Sequence, residues 1–198
     1  MEIIVNKQNS IKLGDIYIDP FGIEEPGSAK YIFITHSHYD HYSPEDIDKI
    51  ITNDTIFIMP LSMKDEYEYS NDVIFVEPGK DYILDNIKFK TVRMYNTNKS
   101  FHKYDYNWCG YIIDIEGTSY YIMGDTDDII ESKNINCDYL FVPIGGTFTM
   151  TVDEAIECIK NINYKYVIPT HYGSIVGDMK MGTDFKDKVG DKCIIKIK

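Results

Sequence analysis

The chain predicts an α/β fold, and three observations carry that expectation. Short β-branched and aromatic runs dominate residues 3 to 123, strand and helix patterns alternate beyond Asp125, and His36, Asp125 and His171 each follow an apolar run. Strands are expected first at residues 3–5, 16–18, 31–35 and 55–59. Between the last two, Ser43-Pro44-Glu45-Asp46 marks a helix start: serine can cap, proline suits the first turn, and the acids favour the positive helix end. Runs at 73–76, 82–84, 87–92, 111–115 and 120–123, with turn residues between them, read as a β-meander. Past Asp125 the pattern becomes strand 139–142, helix 151–162, strand 166–168 and a closing strand 193–197. Thr151 and Glu154 form the capping box that opens this helix, ahead of Ala155, Ile156 and Ile159. Gly145-Gly146 and Gly173 fall in loops beside strand ends, where glycine lets the backbone turn closely.

At 198 residues the expectation is one domain, 1–198. A composition 43% hydrophobic and 14% aromatic is that of a packed globular chain. The formal net charge of −12 repels a polyphosphate backbone, so a small-molecule substrate is expected and nucleic acid is not. Cysteines 109, 137, 158 and 193 show no Cys-x-x-Cys pair, and the amino terminus shows no charged-then-apolar secretory pattern. Reduced thiols, buried as small apolar residues, and a cytoplasmic location are expected. No apolar run approaches the roughly 18 to 20 residues needed to span a bilayer, so no membrane association is expected.

Chemistry concentrates in Thr35-His36-Ser37-His38-Tyr39-Asp40-His41, where four potential ligands fall within six residues. Imidazole is the commonest metal ligand and carboxylate its usual companion. In an extended segment residues i and i+2 share a side, so His36 and His38 can grip one ion while Asp40 and His41, past the turn, reach a second. Asp125 offers two oxygens and can bridge both, as carboxylates do in two-metal sites. Taken singly, each of these residues would read as an ordinary buried or surface side chain; the set makes the case for metal.

The pattern His-x-His-x-Asp-His, a later histidine, Gly124-Asp125-Thr126 and Pro169-Thr170-His171-Tyr172-Gly173 resembles the metallo-β-lactamase superfamily over most of the chain. Further stretches at Tyr17-Ile18-Asp19-Pro20, Tyr95-Asn96, Trp108-Cys109-Gly110-Tyr111 and Pro143-Ile144-Gly145-Gly146 look like small bacterial hydrolases related to ascorbate-6-phosphate lactonase. The resemblance implies a four-layer αββα sandwich with metals at one sheet edge. It implies two divalent ions, Zn2+ with Mn2+ or Fe as alternatives. His36, His38 and His102 would hold the first, Asp40, His41 and His171 the second, and Asp125 would bridge them. His102 is carried over because no other histidine remains.

Two such ions would acidify a shared water and stabilise a developing negative oxygen, with Asp40 as the catalytic carboxylate that accepts and returns the proton. A hydrolase for a small ester, lactone or phosphoester is the expected function. A processing nuclease is disfavoured by the acidic charge and the lack of histidine after His171, and a glyoxalase-type thioesterase by the short chain. A secreted β-lactamase is disfavoured by the missing signal segment. An iron-dependent oxidoreductase on the same fold and a non-catalytic metal-binding protein are the alternatives, the first disfavoured by His38 where diiron flavoproteins carry glutamate. Asp19 and Asp127 could orient ligating histidines or merely shape turns. Tyr172, Thr147 and Thr149 are candidate substrate contacts, and loops 67–71 and 99–107 are where specificity is expected to reside.

Overall fold

In a computed structural model that describes residues 1–197, the chain folds into two six-stranded mixed sheets. The first comprises β1 (Ile3–Val5), β2 (Ile11–Leu13), β3 (Ile16–Ile18), β4 (Tyr31–Phe33), β5 (Ile56–Pro60) and β6 (Val73–Val76), side by side in that order. β1 to β3 are antiparallel, and β3 to β6 run parallel. The second comprises β7 (Asp81–Leu84), β8 (Ile87–Arg93), β9 (Cys109–Ile115), β10 (Thr118–Ile122), β11 (Asn136–Pro143) and β12 (Asn163–Thr170), again in sequence order. Its first four strands are antiparallel neighbours, and β10, β11 and β12 run parallel. The expected meander is therefore real from β7 to β10, but Val73–Val76 belongs to the other sheet.

Side-chain alternation explains the layering. In β4, Tyr31 and Phe33 point between the sheets, where the Phe33 ring meets Phe89 and Tyr111 edge-on, each at 5.2 Å between centroids. Ile32 faces the opposite side, with Ile47, Ile50, Phe57, Met59 and Met63. β4 is thus covered on both faces, which is why its sequence reads as an unbroken apolar run.

The helical layers differ from the expectation in size. On the first sheet, α1 (Pro44–Ile47) is one turn, followed after β5 by a 3-10 turn, Leu61–Glu66, so this outer layer is thin and filled by Tyr42, Tyr67 and Tyr69. Ser43 caps α1 as its sequence indicates, but Asp46 does more than complement the helix dipole. Its carboxylate accepts from the backbone N–H of Gly22 and Ile23 and is held below the usual carboxylate range; burial would raise it, but Lys49 and these N–H groups prevail. On the second sheet, α2 (Val152–Ile159) carries the expected capping box but stops three residues early.

A third helix, α3 (Met179–Val189), has no counterpart among the expected elements. Its apolar face is Met181, Phe185 and Val189, a narrow stripe at four-residue spacing amid lysines and acids. Gly182 allows it to seat on Tyr172, whose hydroxyl would collide with a Cβ there. The expected strand 193–197 reduces to one bridge, Cys193 beside Val167. Val167 donates to Lys192 O and Ile194 donates to Val167 O, after which the ladder would need an N–H from Pro169, which has none.

Candidate metal centre

All seven candidate ligands meet at the end of the sandwich where the parallel strands finish. β4 runs into His36, His38, Asp40 and His41; β10 into Asp125; β12 into His171; and the loop from β8 to β9 carries His102. The first sheet supplies four ligands and the second three. The sheets are stitched together here, Cys109 N donating to Thr35 O at 3.2 Å and the Tyr111 hydroxyl to Ile34 O at 2.7 Å. Among the described residues, three ligand groups form, each with its donor atoms within 4.8 Å of one another: His36, His38 and His102; Asp40, His41 and His171; and His36, His41 and Asp125. Asp125 lies between the first two, with Oδ1 3.4 Å from His41 Nε2 and Oδ2 3.4 Å from His102 Nε2 and 2.9 Å from His171 Nε2.

Three of the five rings, those of His36, His41 and His102, are oriented from behind. Asp19 directly follows β3, and its register against β4 places its carboxylate under Thr35. It accepts from Thr35 N and Thr35 Oγ1, each at 2.7 Å, and from His41 Nδ1 and Asn9 Nδ2, each at 2.8 Å. Because the Thr35 hydroxyl proton goes to Asp19, its oxygen can only accept from His36 Nδ1, 3.0 Å away, so His36 Nε2 carries no proton and accepts from His38 Nδ1 at 3.0 Å. His102 Nδ1 likewise donates to Asn96 Oδ1 at 3.0 Å, and Asn96 is held in turn by Asp127. The two acidic candidates thus behave differently: Asp19 grips a ring directly, whereas Asp127 acts on His102 through Asn96 and also binds Thr97 and Lys99. Such outer contacts fix the tautomer of metal-binding imidazoles.

What remains on the inner side is a set of buried atoms without hydrogen-bond partners: Nε2 of His41, His102 and His171, and Oδ1 of Asp125. Buried polar atoms normally find partners, and bare imidazole nitrogens converging on carboxylates are the donor set of a divalent cation. The residues fit a metal.

Without one, protons must serve. Burial alone would lower His171, yet the Asp125 and Asp40 carboxylates push it up to about 9; burial likewise opposes His41, which Asp125 and Asp19 raise well above its ordinary value. Burial would raise Asp125, yet the His171 and His41 charges hold it well below the usual range. Burial and the His41 charge push His36 far down, and burial and His102 push His38 down. A group raised in the folded state stabilises the fold fully below its unfolded value of 6.5 and loses that contribution as pH rises through about 9. Metal-stripped protein is therefore expected to melt at falling temperature between those limits, as differential scanning calorimetry would show; a flat profile would mean His171 is not ion-paired.

His171 has a left-handed backbone, φ 57°, and its N–H donates to Gln8 O at 2.9 Å. Gly145 passes so close that a Cβ there would collide with His171 O. Gly145→Ala must displace the histidine, and metal affinity in a chelator competition is expected to fall on the order of tenfold or more. Unchanged affinity would show that the loop yields freely.

Two of the three substrate-contact expectations, Tyr172 and Thr149, need correction, while Thr147 is exposed. Tyr172 is fully buried under α3, and Thr149 is buried too, because the chain at both places turns inward. Loop 67–71 packs on Phe57 in the outer layer and does not border the ligands. The cleft over them is lined by His38, Tyr39, Asp40, Phe101, Asp125, Phe148, His171 and Ile175, so only loop 99–107 contributes as expected. The only tryptophan, Trp108, packs on His36 and His38 at 4.8 and 5.1 Å between centroids. Gln8 and Asn9 had no sequence signal, since Asn6-Lys7-Gln8-Asn9-Ser10 reads as a polar hairpin turn, yet both are buried.

A family model described as a beta-lactamase superfamily domain matches residues 12–171. A UPF0173 metal-dependent hydrolase of Thermococcus onnurineus (strain NA1) is 29% identical over 204 residues, covering 92% of this chain and 88% of that one. The crystal structure of a provisionally named metal-dependent hydrolase from Parabacteroides distasonis ATCC 8503 superposes with a TM-score of 0.83 at 29% identity, covering 99% of this chain and 93% of that one. Igni18, a metallo hydrolase from Ignicoccus hospitalis KIN4/I, shares the fold at a TM-score of 0.77 and 19% identity, over 99% and 94% of the two chains. Two facing mixed sheets, ligands gathered at their common edge and a family match spanning both lead to one conclusion: the chain belongs to the metallo-β-lactamase superfamily.

Proposed function

We propose that this protein is a metal-dependent hydrolase that holds two divalent ions and cleaves a small ester, lactone or phosphoester. The observation that carries the reading is Asp125, whose two oxygens face His41 on one side and His102 and His171 on the other. His36, His38 and His102 would hold one ion and Asp40, His41 and His171 the other, a nitrogen and oxygen set suited to zinc or manganese. Ions bound there would supply an acidified water and a Lewis acid for the oxygen that becomes negative.

The chain's own groups do the rest. Asp40 lines the cleft with Oδ2 3.5 Å from His171 Nε2 and 3.7 Å from His41 Nε2, so it can take the proton of the attacking water and return it to the leaving group. Burial would raise Asp40, yet His171 and His41 hold it below the usual carboxylate range, which keeps it ionised as a base. Asp19 and Asn96 hold the rings of His41 and His102 against rotation. Water is split across the scissile bond, its oxygen joining the acyl carbon or phosphorus and a proton leaving with the alcohol.

Metal content per chain, measured by mass spectrometry on protein purified without added metal, is the test. About two zinc or manganese ions per chain, ester turnover abolished by a chelator and restored by the ion, and protons released on reloading are expected. Chelator-resistant turnover would overturn the reading, and iron with oxygen consumption would replace it with redox chemistry.

A further inference from the structure

The cleft above the ligands has a volume of about 270 Å3, room for a small substrate. Its walls are Tyr39, Phe101, Phe148 and Ile175, and neither lysine nor arginine lines it among the described residues. Three of these are exposed, Tyr39 at 65%, Phe101 at 43% and Ile175 at 41%. Scattered apolar residues on a surface need no explanation, but four converging on one cleft do. Phe101 and Phe148 meet edge-on at 4.7 Å between centroids, a wall already assembled. The wall is built on the same loops as the ligands: Tyr39 stands between His38 and Asp40, Phe101 precedes His102, and the Phe148 carbonyl accepts from Asn96, which orients His102.

Three cations that could bind phosphate, Lys99, Lys80 and Arg93, stand elsewhere. Lys99, near Phe101 in sequence, points to Asp127 at 3.0 Å. Lys80 and Arg93 line a separate cleft with Leu61, Glu77 and Asn107, which contains none of the seven ligands. A net charge of −12 adds a field that repels anions.

We infer that the substrate bears an uncharged apolar group beside its scissile bond, which makes a neutral carboxylic ester or lactone with a hydrocarbon or aromatic substituent, and not a sugar phosphate or nucleotide, the class this site takes. This rests on the hydrolase reading above. Hydrolysis adds water across the ester, breaking the bond from acyl carbon to alkoxy oxygen and giving a carboxylic acid and an alcohol. The acyl chain lies along Phe101 and Phe148.

The test uses the metal-loaded protein in two parallel series. Acetate, butyrate, hexanoate and octanoate are titrated as product analogues, followed by Trp108 fluorescence, and p-nitrophenyl acetate, hexanoate and phosphate are compared as substrates. Affinity is expected to rise up to about fourfold per methylene until the cleft is filled. Hexanoate ester turnover, as kcat/KM, should exceed that of acetate and exceed phosphate monoester turnover on the order of a hundredfold. Phe148→Ala should flatten both chain-length series while metal content and inorganic phosphate binding stay at wild-type levels. Flat wild-type series, or preferred turnover of the phosphate, with metal in place, overturn the substrate class alone. A protein that binds no metal overturns the hydrolase reading and this inference with it.

Discussion

Asp125→Ala is expected to lose at least half of the bound metal and to reduce turnover on the order of 10^3-fold or more, since groups that act as a unit fail together. Asp125 is 2% exposed and faces three imidazoles from three separate segments. Its placement is also over-determined: Gly124 has φ 67°, a Cβ there would lie 2.5 Å from Met94 Sδ, and Asp125 N approaches the same sulfur at 3.0 Å. Without the carboxylate, three imidazoles would crowd the cation with no negative charge between the two groups. Asp125→Asn separates shape from charge, keeping the volume but only one accepting oxygen. Mass spectrometry of metal content and steady-state kinetics on both variants check this, with circular dichroism to confirm folding. Two ions and wild-type turnover in the Asp125→Asn variant would remove Asp125 from the bridging position. In the metal-free protein the same change should also erase much of the melting-temperature loss above pH 6.5, because Asp125 is the chief charge raising His171.

Asp19→Ala is expected to destabilise the fold by about 3 to 5 kcal/mol, the range for breaking a buried hydrogen-bond network. Four donors, Thr35 N, Thr35 Oγ1, His41 Nδ1 and Asn9 Nδ2, would lose their acceptor in a fully buried place. For a chain of this size the melting temperature should fall by roughly 10 °C, read by calorimetry. Because that variant could fail through folding alone, Asp19→Asn is the sharper measurement. It preserves volume and one accepting oxygen but places an NH2 group among donors and removes the negative charge, so His41 Nδ1 loses its anionic acceptor. Metal affinity should drop about 10- to 100-fold with the fold retained. Wild-type affinity in the Asp19→Asn variant would show that His41 needs no anchor.

Both predictions draw on residues the sequence already marked, although for different reasons. The cluster from His36 to His41 was legible because its members are covalent neighbours: once β4 ends at Phe33, the loop must carry all four to one place. Asp125 and His171 were legible because each follows an apolar strand, and parallel strands deliver such residues to a common edge. The caps of α1 and α2 were legible for the same local reason, Ser43 and Thr151 binding N–H groups three residues away. His102 was reached only by exclusion and by resemblance, since its loop leaves one hairpin and returns to it, and nothing local says that the loop folds over the site.

Other features depend on what crosses in space. α3 forms because Gly182 seats it on Tyr172, a contact its charged sequence does not announce. Val73–Val76 has the pattern of any half-buried strand, and only its pairing with β5 assigns it to the first sheet. Asp19 and Asp127 look alike in sequence, each beside a turn, and only the packing makes one a direct anchor of His41 and the other a support for Asn96. Phe148 and Ile175, far apart along the chain, share a cleft because β11 and β12 are parallel and end side by side. By itself, then, the sequence determined the strand-rich α/β class, the metal-binding chemistry and six of the seven candidate ligands that the fold gathers, because periodicity, caps and a dense motif act over a few residues. The tertiary structure alone decided which sheet each strand joins, what holds the rings of His41 and His102, and how apolar the mouth of the site is, because these follow from contacts between segments that the order of residues does not place together.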